Sequence, residues 1–479
     1  MIHLSKTNYI LWRECAKNAW LKIHKPDIYF ASELTDFEKQ IIETGNEVDE
    51  LAREIFSFDK TQDKLIGEFQ KKFEKDNFLA ITDVYIENKQ GAHIYEVKAT
   101  NDIDKKTHYH DLAFQVNVLK LLGINVKSAN LVHLNSDYVR MGDLNLKELF
   151  EIENVTEKIE KMLPEVLEEM KLAQEYLTQE SEPKGPCDCI YKGRSGHCST
   201  FAYSNPDVPE YSVHDLARIG LSKKKLIEII DSGVFHPHEI PEHIELSDIQ
   251  KNQIWTHIND QEIISRENIG EELEKLVFPL YFFDYETYPA AIPRFDDFSP
   301  YQQIPFQYSL HILETPESKP AHLDFLYTES RDPSKELVQS LQKHIGLKGS
   351  IIVWHKNFEA GRNDELAKRI PKAAKFLKDF NKRIYDLEDI FKKQHFVHKN
   401  FRGSSSIKKI LPVLVPALSY KELEIREGGS AAESWNRLLT GKLTQKEKRE
   451  IVHNLKEYCK LDTYAMYAVW LELYKLIQS

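Results

Sequence analysis

The sequence has no apolar run approaching the roughly 20 residues that cross a bilayer, and its N-terminus lacks the basic-then-apolar layout of a secretory signal. A cytoplasmic chain with no membrane partner is therefore expected. Cysteine is scarce: five in 479 residues are too few and too unevenly spaced for a disulfide framework, so metal binding or reactivity is the better question to ask of them. A surplus of basic charge is also missing, since 64 Lys and Arg stand against 76 Asp and Glu for a net charge of -12. That argues against a general nucleic-acid coat. It does not exclude a nucleic-acid groove, because a carboxylate-rich metal site itself contributes negative charge. Internal repeats and low-complexity tracts are absent. What is present is ordinary for a chain that folds in water, 41% hydrophobic and 29% charged, and the length predicts two or three domains.

The periodicities divide the chain into three segments. "SKTNYILWRECAKNAW", residues 5–20, reads as a helix capped by Ser5 with Cys15 inside it, and "TDFEKQIIETGNEVDELAREIF", 35–56, as a second helix. "LAITDVYI" and "AHIYEVKA" alternate about a turn at "ENKQG" and predict a hairpin. "THYHDLAFQVNVLKLLG" is helical, "ANLVHLN" a further strand, and "NVTEKIEKMLPEVLEEMKLAQEYL" a long helix with one apolar stripe in spite of Pro164. A Gly, Pro and Cys-rich loop closes this first domain, 1–200. A polar helical connector follows over 201–275. From 276 to 479 strands and helices alternate as in a second α/β domain.

In the hairpin, a turn centred on Lys89 and Gln90 places Asp83 opposite Glu96, and period-two alternation puts Glu96 and Lys98 on one face. Two carboxylates and an ammonium in one place suit metal-dependent phosphodiester hydrolysis, where hard oxygens hold magnesium beside the phosphate and a Lys sits near the attacking water. An exposed, salt-bridged hairpin face is the alternative. The order of elements around these residues resembles the PD-(D/E)XK nuclease superfamily. The resemblance implies that Asp83 and Glu96 are metal ligands, that Lys98 and Gln115 serve the chemistry, and that Glu47, or Asp49 on the same helix, is a further acid.

Cys187, Cys189 and Cys198 lie just past these elements and Cys15 lies in the first helix, so folding can gather four thiolates. The arrangement is similar to that of iron-sulfur nucleases of the RecB type, which implies a [4Fe-4S] cluster tying the ends of the domain together. The Cys-x-Cys pair followed by eight residues to Cys198 departs from the commonest spacing. Tetrahedral zinc suits four thiolates equally. Cys459 stands apart from this set.

The last domain opens on "FFDYETY", which sets two acids inside an apolar strand, with Leu280, Phe282, Asp284 and Glu286 on one face. Burying such charges is expensive without a partner, and a shared cation would supply one. "HKNFE" offers Glu359 where a strand runs into a helix. "NLKEYCKLDTYAMYAVW" is a helix whose stripe Leu455, Cys459, Asp462, Met466, Val469 carries an acid at a core position, with Tyr458 one turn before it. Asp-x-Glu, a later acid and Tyr-x-x-x-Asp resemble the DnaQ-like 3'-5' exonucleases of the ribonuclease H superfamily, in their tyrosine (DEDDy) class. That implies Asp284, Glu286, Glu359 and Asp462 as ligands of Mg2+ or Mn2+, and Tyr458 as the group that orients or helps deprotonate the attacking water. Glu359 stands where the family has Asp.

Together the resemblances imply an α/β protein with a PD-(D/E)XK restriction-endonuclease-like domain and a ribonuclease H-like domain joined by a helical connector. The expected activity is dual-site hydrolysis of DNA, at ends or single strands, in repair or defence. An RNA 3'-exonuclease and a nucleic-acid-binding scaffold with decayed sites are the alternatives.

Overall fold

The computed structural model describes residues 2–30, 36–57 and 67–478. It is a mixed α/β protein whose contacts divide it into two compact units. Unit 1 is Met1–His214 with Gly220–Phe235 and Ala291–Gln302, and unit 2 is Asp215–Ile219, His236–Ala290 and Gln303–Ser479. The stretch read as a separate connector, 201–275, is thus shared between the two.

Unit 1 is built on a mixed sheet of β1 (Leu4–Ser5), β2 (Glu68–Lys75), β3 (Phe78–Asn88), β4 (Gly91–Lys98), β5 (Val126–Leu134) and β6 (Phe150–Asn154). The hairpin register runs from Val84 opposite Tyr95 to Asn88 opposite Gly91, so the next pair inward is Asp83 and Glu96. Strand β5 is parallel to β4, which requires a crossover, and α4 (His108–Leu121) supplies it. Alternation along β4 points Ala92, Ile94 and Glu96 to one face, where the apolar residues of α4 and of α5 (Thr156–Leu177) complete the core. The opposite face, with Tyr95 and Val97, is covered by Val48 and Ala52 of α3 (Asp36–Phe56). Thr35, expected to open α3, lies outside the described residues.

The first helix departs from its expected form. It is two helices, α1 (Lys6–Glu14) and α2 (Ala16–His24), broken at Cys15, whose backbone is extended at φ -163° and ψ 102°. The Ser5 side chain caps α1 by accepting from the Asn8 amide at 3.2 Å. Helical periodicity continues through the break, so apolar spacing alone does not reveal it.

Unit 2 carries a five-stranded sheet in the order β9 (Ala321–Leu326), β8 (Gln303–Leu313), β7 (Leu280–Pro289), β10 (Ser350–Val353), β11 (Ile384–Asp386). Strands β7 to β9 form an antiparallel meander, whereas β10 and β11 run parallel to β7. Strand β7 is therefore central. Its Tyr281, Phe283 and Tyr285 pack towards α6 (Ser334–His344), α7 (Lys356–Arg369) and α8 (Ala374–Lys382). Leu280 and Phe282 pack on the other face, beneath α9 (Ile407–Leu414) and the long α11 (Gln445–Gln478). A further helix, α10 (Gly428–Thr440), contacts both β7 and α11. Among the described residues no helix is long and apolar enough to cross a membrane.

Candidate metal centres and active sites

The break at Cys15 brings it against the loop after α5. The sulfurs of Cys15, Cys187, Cys189 and Cys198 all lie within 4.8 Å of one another, with Cys198 3.9 Å from both Cys15 and Cys187. These separations are far beyond a disulfide bond of about 2.05 Å, and all four thiols are free. Neighbouring contacts fix the arrangement. Lys17 donates to the Gly185 carbonyl at 2.7 Å, Lys192 to the Glu14 carbonyl at 2.9 Å, and the Asp188 carboxylate accepts from the Ala16 amide at 3.2 Å. The Asn205 amide donates to the Cys187 sulfur at 3.2 Å. Three of the thiols are fully buried in this pocket, Cys198 only partly. Buried sulfurs gathered without a disulfide form a donor set suited to a metal or an iron-sulfur cluster.

The second cluster of unit 1 forms where β3, β4, α1 and α4 meet. Lys98 donates to Glu96 at 2.8 Å and also pairs with Asp111; Gln115 donates to Glu96 at 2.6 Å and to Asp111 at 3.1 Å. Asp83 accepts from the Val97 amide at 2.8 Å and from Gln70 at 3.0 Å. Lys6, from α1, donates to the same Glu96 oxygen at 2.6 Å. Burial opposes the charge on Glu96, yet Lys6 and Lys98 hold its carboxyl well below the ordinary range. Asp83 behaves in the opposite way: burial and the neighbouring Glu96 push it up to about 7. Two of these acids thus have different environments although they face each other.

Glu47 is exposed on α3, one position off the face that buries Val48 and Ala52, while Asp49 pairs with Arg53. Neither hydrogen-bonds or ion-pairs with Asp83 or Glu96 in the described structure. The fold adds Lys6 and Asp111 to the cluster. The sequence signal for Asp111 is helical spacing, since it lies one turn before Gln115. Lys6 comes from a distant segment and has no local signal.

In unit 2 the acids of "FFDYETY" meet those of α7 and α11. Asp284 and Glu286 pair with Ser309 and Gln307 of β8 in register, and their side chains share the α11 face. Glu359 stands in the first turn of α7, 1% exposed, directed at Asp284. Asp462 accepts from the Tyr420 hydroxyl at 2.7 Å and lies beside Tyr458. Burial pushes Asp284 and Glu286 well above the usual carboxylate range; the charge of Glu286 adds to the first and that of Asp462 to the second. Burial likewise raises Glu359 to about 8 and Asp462 to about 7, the latter opposed by Tyr420 and Lys408. One Glu359 oxygen, Oε2, is buried without a hydrogen-bond partner. Carboxylates this close and this dry are held apart from their preferred state unless a cation or protons lie between them.

Tyr458 is raised far above its ordinary value by burial and then by Asp462. Tyr420 and Lys408 were not legible in sequence as members of this site. Gly428, which opens α10, is a third addition: a Cβ there would stand 3.8 Å from Glu286 Oε2. Among the described residues, Cys15 with its three partners and Asp284, Glu286 and Cys459 form the groups of three or more ligand atoms within 4.8 Å. Asp83 and Glu96 belong to neither group.

Residues 281–406 match a family model described as a domain of unknown function, DUF2779. That span contains Asp284, Glu286 and Glu359 but not Tyr458 or Asp462. The chain is similar to an uncharacterized protein of Ureaplasma parvum, 28% identical over 299 residues, which cover 58% of this chain and 42% of the relative. It is also similar to uncharacterized proteins of Mycoplasma pneumoniae, 28% identical over 213 residues, and Mycoplasma genitalium, 27% over 215; each match covers 41% of this chain and 32% of the relative. The chain therefore spans less than half the length of the relatives it matches.

Proposed function

We propose that the chain is a metal-dependent nuclease with two hydrolytic sites, a PD-(D/E)XK-like one in unit 1 and a ribonuclease H-like, DnaQ-type one in unit 2. The observation that carries this reading is the gathering of Asp284, Glu286, Glu359 and Asp462, from three separate elements, close enough to raise one another's carboxyls, with Tyr458 beside Asp462. A structural network would pair such acids with cations, whereas here one Glu359 oxygen has no partner. Mg2+ or Mn2+ bound by these carboxylates would supply the charge that polarises a phosphodiester and stabilises its leaving oxygen. Tyr458 would orient the attacking water, and Lys408 would offset part of the acid charge. In unit 1 Asp83 and Glu96 would hold the cation, with Lys98 and Gln115 positioned by their bonds to Glu96.

DNA with single strands or free ends is the proposed substrate, used in repair or defence, because a site of the DnaQ type must receive a free 3' end at its metals, which a single strand supplies more readily than a duplex. The four thiolates would hold a [4Fe-4S] cluster by the resemblance to iron-sulfur nucleases. One observation favours zinc instead: sulfurs 3.9 Å apart suit the edge of a tetrahedron with Zn–S of about 2.3 Å, while a cubane would spread them. Brown, iron-containing protein after anaerobic purification supports the cluster, and colourless protein with stoichiometric zinc supports the single ion.

The functional test is digestion of end-labelled DNA and RNA strands with magnesium, by the natural chain and by Asp462→Asn. The variant should lose at least about a hundredfold of 3'-end digestion, given that even outer partners of metal ligands command about 10–100-fold. Preference for RNA would shift the substrate class. Binding without cleavage by the natural chain would leave a scaffold and reject the nuclease reading.

A further inference from the structure

The acid site of unit 2 contains one group that the hydrolytic reading does not use. Cys459 is fully buried on α11, between Tyr458 and Asp462 in sequence. Its sulfur, one carboxylate oxygen of Asp284 and one of Glu286 all lie within 4.8 Å of one another. It has no disulfide partner, and the remaining four cysteines are gathered in unit 1. A second observation, beside Asp284, concerns a buried polar atom with no partner. Glu359, 1% exposed and directed at Asp284, leaves Oε2 buried without a hydrogen-bond partner.

The composition of this donor set decides which cations it prefers. Magnesium takes hard oxygen ligands and gains nothing from a sulfur, so Cys459 is a bystander when the carboxylates hold it. Zinc and cadmium accept thiolate and carboxylate together, and a sulfur ligand raises their affinity well beyond that of oxygens alone. We infer that Cys459, Asp284 and Glu286 form a site for a thiophilic divalent cation, zinc or cadmium, which competes there with the hard cation of hydrolysis. The metal–sulfur bond forms as the thiol loses its proton to the buffer, so no oxidant is involved. Binding stands on the geometry alone, whereas the competition rests on the nuclease reading. The functional consequence is a nuclease site that trace zinc switches off.

The test uses the full chain with its four-cysteine centre as purified, and cadmium as the probe. Ultraviolet thiolate-to-cadmium charge-transfer absorbance is titrated for the natural chain, Cys459→Ser and Cys459→Ala, with helicity checked for each. The natural chain should show a band in excess of that of both variants, in which only the four-cysteine centre contributes, and Glu286→Gln, which keeps the thiol, should weaken the cation's hold by about tenfold or more. In parallel, the zinc concentration that halves magnesium-supported cleavage, relative to each protein's own uninhibited rate, should rise by about tenfold or more in Cys459→Ser. An identical cadmium band in a folded Cys459 variant overturns the inference, as does unchanged zinc sensitivity in a cleaving one. If no cleavage is seen under any condition but the Cys459-dependent band is present, the nuclease reading falls and the cation site stands. If magnesium-dependent cleavage is seen without that band, the reverse holds.

Discussion

Tyr458 and Tyr420 approach the same carboxylate from different elements, and that is where the chemistry of unit 2 can be dissected by single atoms. Tyr420 donates to Asp462 at 2.7 Å and takes up one of its lone pairs, which stabilises the ionised carboxylate in spite of burial. Tyr458 stands one helical turn before Asp462, and burial and that acid both favour its protonated form, a hydroxyl suited to directing a water. Removing each hydroxyl therefore has a different expected outcome. Tyr458→Phe should lower turnover by about 10–100-fold with little change in strand affinity, since it keeps the ring in its packing and removes only the directing group. Tyr420→Phe leaves Asp462 with one bond fewer and should weaken magnesium binding, so its loss of rate should be recovered at high magnesium. Rates measured against magnesium concentration separate the two: a Tyr458→Phe defect that magnesium also repairs would assign both tyrosines to ligand support.

The break between α1 and α2 is the element on which unit 1 depends most directly. Extended backbone at Cys15 ends one helix and begins another, and the contacts around it tie both to the loop carrying the other three thiols. A metal held by those thiols therefore closes a chain segment of well over a hundred residues, and its removal should release α1 and α2 from the loop. Chelation under reducing conditions should raise hydrogen exchange in Lys6–His24 and around Asp188–Tyr191, while β7 and α11 keep their protection. Equal loss of protection in both units would show the thiols to be no local tie. The same elements show what the sequence can and cannot reveal. The hairpin register, the crossover helix and the stripe of α11 follow from period-two and period-3.6 alternation, and these place Asp83 opposite Glu96 and Asp462, half-buried, on the stripe that carries Met466 and Val469. The helix break does not, because apolar spacing runs through it. Glu47 is exposed, one residue from the buried Val48, a difference that helical spacing alone does not resolve. Lys6, Lys408 and Tyr420 join their sites through tertiary contacts between distant segments, which local patterns do not encode.

At the scale of the molecule the two units have their own cores and their own acid clusters, so the proposed sites should fail independently. Asn replacements test this with the least disturbance, because each keeps the shape of the acid and removes its charge. Asp83 is raised to about 7 by burial and Glu96, and Asp462 to about 7 by burial, so in both cases the fold already disfavours the ionised form. Neutral isosteres should therefore leave the metal-free thermal midpoint unchanged or raise it by about 2–4 °C, the shift that ~1 kcal/mol produces in units of this size. Activity should move the other way. Asp83→Asn should abolish one cleavage activity and spare the one that depends on Asp462, and Asp462→Asn should do the converse. Acids that hold the structure together cannot give that result, since their loss lowers stability and activity together. If either variant, folded and at least as stable as the natural chain, loses all cleavage of both end-labelled and internally labelled strands, the chain has a single hydrolytic site, and the other acid cluster needs a different explanation.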